Sequence, residues 1–240
     1  METMPPGDAG DAVDDYLVTA IRAALAAVAD PAKAPGMQAY MKSAMPYLGV
    51  PKPARALALR PILAARTLPD SASWTATVLA LWRDAAYREE RYAAIDLTGH
   101  RAYRAFQRST TLAMYEEMIT TGAWWDYVDE VASRRVGPLL AAEPAVIRPV
   151  MLRWSRDADL WRRRTSIICQ LSFKAATDLD LLYACIDANL DDRDFFIRKA
   201  IGWALRQYAR TDPTEVRRYV TACGEALSPL SRREALKNIG

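Results

Sequence analysis

The chain has 240 residues, of which 51% are hydrophobic and 25% charged, and it carries a net charge of +3. That length suffices for one sizeable core or one elongated helical array. Ten glycines, three scattered cysteines and a single histidine (His100) exclude a disulfide framework, a His-rich or CxxC metal site and a histidine-dependent nucleophile pair. No GxGxxG or GxxxxGK[ST] loop occurs, so a nucleotide bound through those motifs is excluded as well. The expectation is a chain that works without metal or cofactor.

Residues 1–13 read as a flexible acidic N-terminus on a single helical-repeat domain spanning 1–240. With no basic n-region or uninterrupted apolar h-region they do not form a secretory signal. No apolar stretch reaches membrane-spanning length, and a cytoplasmic protein is expected. The first amphipathic helix is predicted over 14–29, with Tyr16, Leu17, Ile21, Leu25 and Val28 on one side. A helix over 33–43 follows, then a proline-rich connector at 46–53 in which Lys52 is a candidate phosphate contact. Further helices are predicted over 54–66, 72–85, 87–97, 108–120, 124–132, 144–156, 160–173, 178–189, 194–210, 214–223 and 232–238. Ser231 and Glu234 have capping-box spacing for the last. Glu89, Glu90 and Arg91 read as a solvated face, and Glu116 and Glu117 diverge as helical neighbours. Trp74, Trp82 and Trp154 are assigned to seams between helices, and Cys169, Cys185 and Cys223 to small buried apolar positions.

Three of these helices begin alike. Residues 87–95, 160–168 and 195–201 each place basic side chains just before a patch of small residues and isoleucine, and Arg164 and Arg198 lie thirty-four positions apart. That is the period of helical-pair repeats. The expected fold is therefore all-α, an α-solenoid of HEAT-like helical repeats with a concave basic groove lined by one helix of each pair. A compact helical bundle is the alternative. Charge is distributed to match: residues 1–100 hold ten Lys/Arg against eleven Asp/Glu, whereas 148–240 hold seventeen against twelve. Of the thirty-two basic residues twenty-six are Arg, the side chain that forks onto phosphates. A generally Arg-rich composition accounts for the same count.

Two helices carry an unusual mixture of side chains. In 194–210, Lys199, Trp203, Arg206 and Arg210 step along one face opposite a buried side of Phe196, Ile197, Ala200, Ile201, Ala204, Leu205 and Tyr208. Trp203 is either a boundary indole with arginines stacked on it or an aromatic platform within a phosphate track. In 124–132, Trp125 and Asp129 are four apart and share a face. The adjacent Trp124 and Trp125 point about 100° apart, so packing can take only one of them fully. Asp126 can complement the helix dipole, but Asp129 has no capping duty. It either pairs with an arginine of the next repeat, Arg164 being the obvious candidate, or serves chemistry.

These segments carry a resemblance. Tyr40-Met41-Lys42 with Leu48-Gly49-Val50, the run Trp124-Trp125-Asp126-Tyr127-Val128-Asp129, Leu160-Trp161 with Arg164, the run 195–203 with Leu205-Arg206 and Tyr208-Ala209, and finally Leu230-Ser231-Arg232-Arg233-Glu234-Ala235 resemble the AlkD-type DNA alkylation repair proteins. These are HEAT-like helical-repeat DNA glycosylases, and the resemblance runs from about Met37 to Ile239. It implies an enzyme that holds duplex DNA by its backbone and excises N3- and N7-alkylated purines without base flipping; with no lysine in the Trp–Asp–Arg constellation to serve as a Schiff-base nucleophile, a monofunctional one is expected. It further implies that Asp129, Arg164, Trp125 and Trp203 gather around the deoxyribose of the lesion. Lys199, Arg206 and Arg210 would extend the phosphate track, with Tyr40, Lys42 and Lys52 also on the DNA. Residues 51–56 depart from the family pattern, which carries a polar residue near Pro51 and paired arginines at Arg55 and Ala56; that bears on lesion preference. The competing reading is a non-catalytic helical-repeat scaffold that binds damaged DNA or protein, and a third is repair of bulky minor-groove adducts. A monomer is expected, because an open groove must admit a duplex.

Overall fold

Every regular element among the described residues is helical: the computed structural model describes residues 12–239, with fourteen α-helices, short 3-10 turns and no strand. Residues 1–11 of the predicted acidic terminus lie outside the described residues. The chain falls into two compact units, Met1–Gln107 and Arg108–Gly240.

The first unit is built from α1 (Asp15–Ala27), α2 (Ala34–Met41), α3 (Lys52–Ala65), α4 (Ser71–Arg83) and α5 (Arg88–Thr98), followed by a 3-10 segment, Arg101–Phe106. Asp14 starts α1 by accepting from the Leu17 amide at 2.9 Å, and Asp70 starts α4 by accepting from that of Ser73 at 2.7 Å. Leu17, Val18, Ile21 and Leu25 form the buried stripe of α1, which packs on α3, α4 and α5. Two members of the predicted stripe lie outside it. Tyr16 is 70% exposed and carries the Arg66 guanidinium over its ring, and Val28 is the exposed residue that closes the helix. Trp74 and Trp82 are buried as predicted, Trp74 against Tyr103 and Phe106 at centroid distances of 5.9 and 6.0 Å.

Two readings of this unit need correction. The predicted connector 46–53 is already helix at its end. Pro51 is the extended cap of α3, Lys52 its first residue, and Pro53 sits in the first turn, where a missing N–H breaks no hydrogen bond. Glu89 and Glu90, read as a solvated face, are 0% and 4% exposed. The Glu89 carboxylate accepts from the amides of Leu48, Gly49 and Val50 at 2.9–3.0 Å. Glu90 pairs with Arg22 at 2.9 Å. A charged pair in sequence became a structural anchor because the loop it holds presents three successive donors that need an acceptor.

The second unit comprises α6 (Leu112–Gly122), α7 (Trp125–Val131), α8 (Gly137–Ala142), α9 (Pro144–Trp154), α10 (Leu160–Ile168), α11 (Leu179–Asp187), α12 (Phe195–Tyr208), α13 (Pro213–Cys223) and α14 (Pro229–Leu236). Its helices alternate between two rows. One row runs α7, α10, α12 and α14 by direct packing. The other runs α9, α11 and α13; there Tyr183 stacks on Tyr219 at 4.0 Å, donating to Glu215, while Tyr219 donates to Asp187. Aspartates cap four successive helices, Asp159 and Asp194 in the first row, Asp178 and Asp212 in the second. Positions 159 and 194 are thirty-five apart, 178 and 212 thirty-four, so the helical-pair period is present in the caps themselves.

Residues 133–143, left unassigned by the sequence, continue α7 through a π-helical turn (Ala132–Val136) into α8. Pro138 cannot donate to the Arg134 carbonyl one turn back. The wider turn absorbs the break, and Arg135 Nη1 donates to that carbonyl at 2.9 Å. The capping-box expectation for the last helix is also corrected. α14 begins at Pro229, and Ser228 is its cap, accepting from the Ser231 amide. Ser231 Oγ instead donates to the Arg198 carbonyl of α12.

Candidate functional site

The centre of the second unit is a carboxylate–guanidinium pair linking two helices of the first row. Arg164 on α10 donates from Nε and Nη2 to the two oxygens of Asp129 on α7, at 2.7 and 2.8 Å. Nη1 of Arg164 donates to the Phe196 carbonyl in the first turn of α12 at 2.5 Å. One guanidinium thus joins α7, α10 and α12. Its forked geometry makes this possible, and both side chains are sheltered, 6% exposed for Arg164 and 16% for Asp129. Burial pushes the Asp129 carboxyl above the usual carboxylate range. The hydrogen bond and charge of Arg164 pull it down, and Asp126 pushes it up again.

Beside the pair lies an aromatic cluster. Trp124 meets Trp161 at 6.3 Å and Phe196 at 5.5 Å, and Trp161 meets Phe196 at 5.2 Å. Trp124 is therefore the packing indole of the adjacent pair and Trp125 the other. Trp125 opens α7 one turn before Asp129, and Trp203 lies on α12 seven residues after Phe196, on the same helix face, so Phe196 belongs to the Trp203 side and not to the opposite, buried side predicted for it. Both tryptophans are half-buried, and among the described residues neither indole side chain makes a hydrogen bond or ring pair. Asp129, Arg164, Trp125 and Trp203 are all carried by α7, α10 and α12, consecutive members of one row.

The DNA-contact residues named from the sequence fall into three groups. Lys199 and Arg206 flank Trp203 one turn to either side, and both reach Glu234 of α14, at 2.9 and 2.5 Å. The two cations hold the Glu234 carboxyl below its usual range. This shared counter-ion was missed, because Glu234 had been assigned to a capping box. Its signal was Gly202: a Cβ there would lie 2.5 Å from Glu234 Cβ and 2.8 Å from the Ser231 carbonyl oxygen, so only glycine lets α14 cross α12 this closely. Arg210 is exposed beyond the end of α12. Tyr40, Lys42 and Lys52 belong to the first unit. Tyr40 is 76% exposed, Lys42 closes α2 in the left-handed region, and Lys52 opens α3 exposed. Among the described residues no three His, Cys, Asp or Glu side chains gather as a metal site would require.

The model of the family described as "DNA alkylation repair enzyme" matches residues 21–239. The chain belongs to that family. A solved structure named "Predicted DNA alkylation repair enzyme from Enterococcus faecalis" is similar to it, with 30% sequence identity and a TM-score of 0.79. The match covers 88% of this chain and 97% of that one. The search of curated proteins returned no match. Membership of the alkylation repair family gives the chain a role in repair of alkylated DNA, and DNA as its substrate. Among the described residues no helix is long and apolar enough to cross a membrane.

Proposed function

We propose that this family member is a monofunctional DNA glycosylase that hydrolyses the N-glycosidic bond of cationic N3- or N7-alkylated purines in duplex DNA, without flipping the base. The observation that carries the reading is the sheltered Asp129–Arg164 pair, with half-buried Trp125 and Trp203 on two of the three helices that the pair joins.

Chemistry explains why so small a set suffices. A purine alkylated at N3 or N7 already bears positive charge and departs as a neutral base, so no general acid is needed. One carboxylate can then do what other glycoside hydrolyses assign to two. As the bond lengthens, cationic character grows at the sugar. A fixed carboxylate with little water around it stabilises that charge and can orient or deprotonate the attacking water. Arg164 is the positioning residue: it holds both carboxylate oxygens from one side and is itself fixed by the Phe196 carbonyl. Trp125 and Trp203 offer π faces to the same sugar cation, worth about 2 kcal/mol each when desolvated. Arg210, Lys199 and Arg206, with Tyr40, Lys42 and Lys52, supply phosphate contacts. They fix register and carry no base readout. Nothing in the Trp–Asp–Arg constellation can act as an amine nucleophile, which is why strand cleavage is not part of the reaction.

The test is to incubate the protein with methylated duplex DNA and follow free bases and strand integrity. The reading requires release of methylpurines and an abasic strand that breaks only on alkaline treatment. Intact glycosidic bonds on DNA that the protein demonstrably binds would leave a damage-binding scaffold in its place.

A further inference from the structure

A cavity of about 310 Å³ opens in the second unit between α10, α11 and α12, away from the Asp129–Arg164 pair in its lining residues. Its floor is apolar, made of Ile167, Leu171, Leu182 and Ala204. Five polar side chains, Lys174, Gln207, Tyr208, Arg210 and Thr211, line its other walls, beside Gln170 and Thr177, which are already engaged by the Asp178 backbone and the Lys174 carbonyl. Among the described residues none of those five side chains makes a hydrogen bond or ion pair within the protein. Elsewhere in the unit Arg148, Arg162, Arg163, Arg164, Lys199 and Arg206 have carboxylate partners, while Arg198, Arg217 and Arg232 donate to backbone carbonyls.

The lining holds two cations and no carboxylate. Asp212, next to Thr211, is occupied in capping α13 through the Glu215 amide, and Glu215 is held by Arg218 and Tyr183. Lys174 has a φ of 55°, a left-handed conformation unfavourable for a long side chain. Such a conformation persists where its surroundings impose it. Two unpaired cations at a rim select an anion. A phenol, an amide and a hydroxyl select a hydrogen-bonding body, and an apolar floor selects a flat or apolar one. A volume of about 310 Å³ is at the small end of ligand sites, roughly 300–1,000 Å³.

We infer that this cavity binds a nucleotide, a phosphate ester carrying a planar base, with Lys174 and Arg210 on the phosphate and Tyr208 and Gln207 on the base. The phosphate can come from a free nucleotide or from one nucleotide of a DNA strand following the row past Arg210.

The experiment uses the full chain and titrates deoxyadenosine monophosphate by calorimetry, with inorganic phosphate and deoxyadenosine as controls. The proteins are wild type, Asp129→Asn, and the double variant Lys174→Asn with Arg210→Gln. Asparagine tolerates the left-handed backbone at 174, and both side chains are exposed, so the double variant should fold; its circular dichroism checks this. Binding that is weakened at least tenfold in the double variant and unchanged in Asp129→Asn is the expected result. It holds whether or not the protein proves to be a glycosylase. Equal binding by wild type and the double variant, or no nucleotide binding by wild type, would overturn the inference. Under the expected result, competition by an undamaged duplex assigns the site to a strand nucleotide, and simultaneous binding assigns it to a free one.

Discussion

Two opposing influences act on the proton of Asp129: burial raises its affinity and Arg164 lowers it, with the net direction upward. A carboxyl whose folded value lies above its unfolded one contributes stability below the unfolded value, and that contribution is lost as pH rises through the folded value. Catalysis runs the opposite way, because the ionised form is the one that stabilises a sugar cation. The acid limb of excision should therefore lie above the ordinary carboxylate value of 3.8. Replacing Arg164 with Met removes the influence holding the value down, so the limb should move further up. Single-turnover rates across pH test this; a limb at or below 3.8 in wild type would contradict it. That Trp125 and Asp129 stand one turn apart was legible from a spacing of four, since both residues lie on one helix. Glu89 was not legible, because its partners are amides some forty positions earlier. Glu89→Ala would strand three buried donors at about 1–3 kcal/mol each. Its urea midpoint should fall by the equivalent of about 3 kcal/mol or more, and that of Glu89→Gln by clearly less, since one acceptor oxygen remains.

At the scale of elements, the crossing of α12 and α14 decides how the candidate phosphate track is presented. Gly202→Ala would drive a Cβ into backbone and Cβ atoms of α14, displacing Glu234 from Lys199 and Arg206. Overpacking of this kind costs about 1–3 kcal/mol, and the thermal midpoint should drop accordingly. Glu234→Gln leaves the packing in place but removes the shared counter-ion. On the proposed reading its DNA affinity should rise at low salt, and the slope of log affinity against log salt should steepen by about one. A slope unchanged from wild type would remove Lys199 and Arg206 from the DNA. Most helices were legible because caps and apolar stripes are local signals, as with Asp159, Asp178 and Asp194. The stretch through Gly137-Pro138 was not, since that dipeptide reads as a stop. A π-helical turn, which depends on the neighbouring Arg135 side chain and on the Gly137 approach to the Cys169 carbonyl, let the helix continue.

Over the whole molecule, a net charge of +3 conceals local arrangement. Much of the arginine surplus in the second unit is consumed by ion pairs between and within helices. Composition therefore overstated the free positive surface, while the order of motifs, read as a resemblance, matched the family that covers residues 21–239. What sets this chain apart from a mere helical array is one aspartate kept in a sheltered site against an arginine, with two half-buried indoles, Trp125 and Trp203, on its row. Asp129→Ala would leave Arg164 with neither counter-charge nor acceptor and endanger the fold by about 3–5 kcal/mol; Asp129→Asn also removes the counter-charge but keeps the shape and one acceptor, and is the decisive change provided that its thermal midpoint shows it folded. The measurement is the single-turnover rate of 7-methylguanine release from methylated duplex DNA, wild type against Asp129→Asn, at matched DNA occupancy. A loss of about 10²–10³-fold with DNA binding retained is the predicted result; equal rates from the two proteins would contradict the assignment of Asp129 to the chemistry.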